Sequence, residues 1–152
     1  MPYLFSYGSN NIKQLSERLK RNILKSEIIP AYIEDYTRIF CFYSSKWNGS
    51  VASIYPDKHK LVFGSLIILN EKELCKLDKF ETNYTRKMIR VNDNYFNKLN
   101  AHVYVCNDTK FVKEPSVEYL DSIKKNIYES WKIKTVRVPI YIKTKQGIKM
   151  IN

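Results

Sequence analysis

Two short segments of the chain carry residue types that could do chemistry together: Tyr7-Gly8-Ser9-Asn10 near the beginning, and a single acidic residue, Glu81. The first follows the apolar run Tyr3-Leu4-Phe5 and precedes a helical pattern. A glycine-bearing turn from strand to helix offers backbone N–H groups to an anion. Glu81 closes Leu77-Asp78-Lys79-Phe80-Glu81 and is followed at once by Thr82-Asn83-Tyr84. A carboxylate at a helix end, just before a new strand, is well placed to transfer protons. The pair suggests a pocket that grips a carboxylate and moves protons.

Each segment also has a plainer reading. One glycine makes neither a Walker loop nor a dinucleotide fingerprint, and such a turn is often only a tight connection with a capped helix. A glutamate just past a helix end is commonly solvated and sits on the unfavourable side of the helix dipole. The residues around Glu81 are apolar in pattern (Leu77, Phe80, Tyr84), and burial among them would make it a usable base near neutral pH. Most of the twelve tyrosines are expected to pack. Tyr7, Tyr84 and Tyr119 are the ones that could line a pocket, with their phenols as donors. His59 and His102 are isolated and no cysteine pair has ligand spacing, so no metal site is expected.

These residues need elements to hold them. Residues 3–7 read as a buried strand. Ile12, Leu15 and Leu19 then recur at helical spacing, with Ser9 or Asn10 as a suitable N-cap. Strand-like runs cover residues 38–43 and 50–54, joined by the turn-prone Trp47-Asn48-Gly49. Pro56-Asp57-Lys58 breaks the pattern before a further run at 61–69. Asn70 and Glu73 frame a helix start whose apolar face is Leu74 and Leu77. Strands return at 87–91 and 101–105. Pro115-Ser116 opens the longest helix, with Leu120, Ile123, Ile127 and Trp131 on one face. A last strand at 136–142 precedes a basic tail, from about residue 143, expected to fray. Two or three helices among six or seven strands predict an α+β domain with a small mixed sheet or barrel.

The bulk properties narrow the class. A chain of 152 residues, 44% apolar and 14% aromatic, is expected to form one domain (1–152) with its own core. The longest apolar run is interrupted by Gly64 and Ser65 and does not span a bilayer. The first residues lack a basic n-region, so no signal peptide is expected. Cys41, Cys75 and Cys106 read as free thiols in a reducing compartment, which makes the cytoplasm the expected location. The net charge of +11 fits either a solvated basic surface or anion recognition. Only Lys124-Lys125 and Arg18-Leu19-Lys20-Arg21 are locally dense.

Several segments in order resemble the gamma-glutamylcyclotransferases: Leu4-Phe5-Ser6-Tyr7-Gly8-Ser9-Asn10, Gly49-Ser50-Val51-Ala52-Ser53-Ile54, Val62-Phe63-Gly64-Ser65-Leu66, Leu77-Asp78-Lys79-Phe80-Glu81 with Tyr84, and Pro115-Ser116-Val117-Glu118-Tyr119. The resemblance implies a compact α+β fold around a barrel-like sheet, with no metal or cofactor. It implies a reaction in which the α-amine of a γ-glutamyl group attacks its own γ-carbonyl, giving 5-oxoproline and a free amine. Glu81 matches the catalytic glutamate, and Tyr7, Gly8, Ser9 and Asn10 match the loop that binds the γ-glutamyl group. Tyr119 matches a pocket-shaping tyrosine and Tyr84 the tyrosine that follows the glutamate. Lys79 and Phe80 replace more polar residues before the glutamate, and Asn10 favours γ-glutamyl dipeptides over glutathione. The implied partner is a small γ-glutamyl molecule, with no nucleic acid or membrane, for a monomer or homodimer. Two other classes remain: a non-catalytic binding module of the same fold, and a basic nucleic-acid-binding protein, which would need clustered cations with interleaved aromatics.

Overall fold

The computed structural model describes residues 2–152; Met1, where the signal-peptide reading begins, lies outside them. Seven strands and three α-helices alternate along the chain: β1 (Tyr3–Ser6), α1 (Ile12–Leu19), β2 (Ile29–Ser44), β3 (Gly49–Ile68), α2 (Glu71–Asp78), β4 (Tyr84–Asp93), β5 (Lys98–Cys106), α3 (Val117–Trp131), β6 (Tyr141–Thr144) and β7 (Gly147–Met150). The sheet runs β3-β1-β5-β4-β2-β6-β7, and β2 also pairs with β3. That extra pairing closes five strands into a barrel and leaves β6 and β7 as an outer hairpin. The sheet is mixed, because β1 runs parallel to β5 and β2 parallel to β6. The α+β class with a barrel-like sheet and flanking helices is the one the element pattern predicts.

β1 lies between β3 and β5 and is buried on both faces, hence its continuous apolar run. Phe5 points into the barrel with Ile33, Phe40, Leu66 and Val103. Leu4 points out, into a second cluster where Leu15 and Leu19 of α1 meet Leu74 and Leu77 of α2. The expected apolar stripes of both short helices thus bury against each other and against the outside of the barrel. A Cβ at Gly64 would collide with the Ser6 carbonyl, so glycine lets β3 approach β1.

Caps set the helix starts. Asn70 and Glu73 form the expected reciprocal box, with Asn70 Oδ1 accepting from the Glu73 N–H at 2.9 Å and Glu73 Oε1 from the Asn70 N–H at 3.1 Å. For α1 the cap is Asn11, which accepts from the Gln14 N–H at 3.0 Å. Ser9 and Asn10, expected there, instead take the side-chain amide of Gln14.

Two other expectations change. β3 continues through Pro56-Asp57-Lys58, and the interruption survives as a bulge. Tyr36 pairs with Pro56 and Glu34 with Leu61, so the single residue Asp35, at φ 63°, faces four residues of β3. The last strand begins at Tyr141, and the basic tail returns as β7. Tyr141 and Ile148 of this hairpin pack over a small cluster of Ile39, Cys41 and Cys106, which ties the tail to the barrel.

Helix α3 seals the barrel end with Tyr119, Ile123 and Ile127. Its Asn126, buried, donates to the Ser6 carbonyl at 3.0 Å and accepts from Ser65 Oγ at 3.0 Å, joining α3 to β1 and β3. Asn126→Leu leaves both partners unpaired, and stability is expected to fall by about 3 kcal/mol. A lower urea midpoint at unchanged m-value would show it. An unchanged midpoint would mean that these contacts contribute nothing net.

Candidate functional site

Residues 7–10 turn from the end of β1 into α1, and every carbonyl of this turn is engaged. Arg38 Nε donates to the Tyr7 carbonyl at 3.0 Å and Asn126 Nδ2 to that of Gly8 at 3.4 Å. The Ser9 carbonyl accepts from the Asn11 N–H at 2.7 Å and from Ser122 Oγ at 3.2 Å. Ser6 Oγ donates to the Asn10 carbonyl at 2.8 Å. By contrast, the N–H groups of Gly8, Ser9 and Asn10 have no acceptor among the described residues. Three consecutive free N–H groups beside a helix start form an anion-binding concavity. The turn borders a recess of about 40 Å³, shared with Ala52, Glu81, Tyr84, Tyr104 and Tyr119. All seven residues singled out from the sequence meet in this recess.

Glu81 follows α2 by a turn, its N–H donating to the Asp78 carbonyl at 3.2 Å. Its surroundings are polar where the sequence suggested apolar ones. Leu77 points into the helix-side cluster, and Phe80 is 52% exposed. Glu81 Oε1 instead accepts from Arg18 Nη1 at 2.9 Å and from Asn10 Nδ2 at 3.0 Å. The ion pair is shielded, with side-chain exposures of 11% for Arg18 and 12% for Glu81. Oε2 has no hydrogen bond to the described residues and remains open to another partner. Asn10 Oδ1 in turn accepts from Arg18 and from Gln14 at 3.1 and 2.9 Å, which locks the carboxylate's two donors together.

The three tyrosines differ in what their protons do. Tyr7 donates to the Tyr104 carbonyl, and Tyr84 to the Ala52 carbonyl at 2.7 Å. Tyr119 Oη instead accepts from the Ala52 N–H at 2.7 Å and keeps its own proton. The expectation of three phenol donors therefore narrows to one, because two phenols are spent on backbone carbonyls. Burial raises the pKa of all three above the ordinary phenol value, with neighbouring tyrosines and Glu81 adding for Tyr7 and Tyr84. An unfolded phenol ionises near pH ~10, whereas these stay neutral when folded. Their contribution to stability is therefore complete below about pH 10 and is lost as pH rises beyond it. Thermal melts should show a melting temperature falling steeply above about pH 10; a flat profile there would contradict the burial of these phenols.

Behind Glu81 a second cavity of about 220 Å³ shares Ser9, Glu81, Tyr84 and Tyr119 with the recess and is walled further by Arg18, Lys46 and Trp47. Sequence reasoning missed Arg18 and Gln14, having read Arg18 only as part of a basic run. The signal was present: Gln14 and Arg18 lie four residues apart on one face of α1, the face that begins beside Asn10. His59 and His102 border neither the recess nor this cavity. Among the described residues no group of three His, Cys, Asp or Glu side chains could hold a metal ion, and no helix is long and apolar enough to cross a membrane.

A closed mixed barrel with a carboxylate set against a turn of free N–H groups defines the class, and sequence comparison names it. The family model Gamma-glutamyl cyclotransferase, AIG2-like, matches residues 4–132, and the chain belongs to that family. Among solved structures, one described as a gamma-glutamyl cyclotransferase superposes with a TM-score of 0.70 at 21% identity, covering 90% of this chain and 88% of its own. An uncharacterised protein from Homo sapiens gives 0.68 at 21% identity, covering 84% and 79%. A cyclotransferase from yeast described as specific to glutathione gives 0.57 at 13% identity, covering 90% and 89%. At these identities the likeness is one of fold. No curated protein sequence matches the chain.

Proposed function

We propose that this protein cyclises a γ-glutamyl amide to 5-oxoproline and releases an amine, with Glu81 as the proton-transfer group. The observation that carries this reading is the pairing of three unused N–H groups at residues 8–10 with a carboxylate whose Oε2 is unengaged, in one recess. The substrate's α-carboxylate is the anion that the turn accepts.

The α-amine is an ammonium at neutral pH and cannot attack until it loses a proton. Glu81 Oε2 takes that proton, and the amine nitrogen bonds to the γ-carbonyl carbon. Charge then develops on the carbonyl oxygen, which the unspent proton of Tyr119 can meet. Glu81 returns that proton to the leaving nitrogen as the C–N bond breaks, and the released amine takes the second proton of the attacking nitrogen, which ends as the lactam N–H. One carboxylate thus acts as base and then acid. No water is consumed. Nucleophile and electrophile belong to one molecule, so the recess needs only to hold a near-attack shape. Arg18 and Asn10 fix one carboxylate oxygen and leave the other to work.

The test is 5-oxoproline release from γ-glutamyl-alanine, γ-glutamyl-ε-lysine and glutathione. Turnover of at least one is expected, with γ-glutamyl-alanine preferred over glutathione. Silence across γ-glutamyl amides from a well-folded protein would favour a non-catalytic binding module of the same fold.

A further inference from the structure

We propose that the larger cavity behind Glu81 receives the leaving amine and selects one bearing a carboxylate, with Lys46 as the residue that reads it. The inference rests on the γ-glutamyl reading above and names the substrate class on the far side of the scissile bond. Ser9, Glu81, Tyr84 and Tyr119 border both spaces, so a molecule with its glutamyl end in the recess can extend its other end into this cavity. The space on the other side of Glu81 shares only Glu81, Tyr84 and Tyr104 with the recess, and its one arginine, Arg86, is spent on Asp78 at 3.0 Å. At about 220 Å³ the cavity exceeds the ~150 Å³ in which a buried site holds benzene, and has room for an amino acid.

Charge then decides what kind of amine fits. The cavity presents two cations, Arg18 and Lys46, and one anion, Glu81. Glu81 is paired with Arg18, while Lys46 has no carboxylate within 4.0 Å among the described residues. Lys46 Nζ has only a long contact to Gln14 Oε1 at 3.5 Å and lies 5.3 Å from the centre of the Trp47 ring. Partial burial and the neighbouring Arg18 push its pKa below the ordinary lysine value, with Glu17 and Glu81 opposing. The Arg18 Nε–H is also buried without an acceptor.

The glutamyl carboxylate is met by the N–H groups of the turn in the recess and leaves the charge of this cavity unchanged. The cavity therefore retains one positive charge, which a carboxylate on the leaving side neutralises. A polyamine leaving group would add a cation beside two others and is disfavoured. Phe42, Trp47 and Phe80 flank the same space with rings, suited to the amino acid's carbon body.

The test uses glutaryl-alanine and glutaryl-alaninamide, which lack the α-amine and cannot cyclise, titrated into the native protein by calorimetry. The acid is expected to bind about tenfold tighter than the isosteric amide. Lys46→Gln should bring the ratio close to unity and Lys46→Glu should invert it. Lys46 is exposed, and circular dichroism verifies that both variants fold. Equal affinity for acid and amide, binding of neither, or a preference that survives Lys46→Glu overturns the assignment. Native turnover of γ-glutamyl-alanine and γ-glutamyl-alaninamide is measured in parallel. Discrimination in binding without any 5-oxoproline would overturn the cyclisation reading alone; turnover of both without discrimination would overturn the cavity assignment alone.

Discussion

Glu81→Gln is expected to lower kcat for 5-oxoproline release by about 10³-fold, within the range that a positioned acid–base group supplies. On the free-energy scale that is about 4 kcal/mol of lost transition-state stabilisation. Glutamine has the same shape, and its Oε1 can still accept from Arg18 Nη1 and Asn10 Nδ2. The turn at residues 8–10 is untouched, so KM should change little. The substitution does remove the counter-charge of a shielded guanidinium. Arg18 keeps Asn10 Oδ1 at 3.1 Å and the face of Phe80 at 5.1 Å, so the protein should fold with a lower melting temperature. Measured kcat and KM on the preferred substrate decide the matter. A variant retaining turnover within about tenfold of native would remove Glu81 from proton transfer.

The parts of this site that sequence made legible are those whose signal is local. The turn at Tyr7-Gly8-Ser9-Asn10 announces itself by a glycine between an apolar run and a helical stripe. Asn70 and Glu73 announce a helix three residues apart, and Glu81 is found by counting on from that helix. What stayed hidden depends on contacts between distant segments. β1 inserts between β3 and β5, and nothing in four residues specifies parallel pairing with a strand beginning at Lys98. Arg18 looked like surface charge because its partner, Glu81, belongs to another helix end. Trp47 read only as a turn residue and Lys46 drew no reading, since their part as a cavity wall exists only once β2 and β3 close the barrel. The basic tail was expected to fray because its apolar residues are sparse; Ile148, with Tyr141 of the preceding strand, anchors it. The two suffice because they land on a patch that Cys41 and Cys106 make together from opposite halves of the sequence.

Tyr119→Phe should lower kcat by about 10²-fold, the cost of removing one donor to a developing oxyanion, whereas Tyr84→Phe should cost about tenfold or less. The two phenols hold the two backbone groups of one residue: Tyr119 accepts the Ala52 N–H and Tyr84 donates to the Ala52 carbonyl, both at 2.7 Å. Each substitution therefore strips one backbone group of its partner, at a similar stability cost of about 1–3 kcal/mol. Matched damage to the fold makes the difference in turnover informative. Only Tyr119 has a proton left to give. Its Oη also lies against the glycine turn, 3.4 Å from where a Cβ on Gly8 would stand, so the proton is near the N–H groups that grip the α-carboxylate. A γ-glutamyl group held there brings its carbonyl within reach of the same hydroxyl. If both variants lose turnover equally, the effect is positional and Tyr119 serves only to hold β3. If Tyr119→Phe alone loses kcat at unchanged KM, its hydroxyl acts on the transition state, and the work of the recess divides between a carboxylate that moves protons and a phenol that meets the charge.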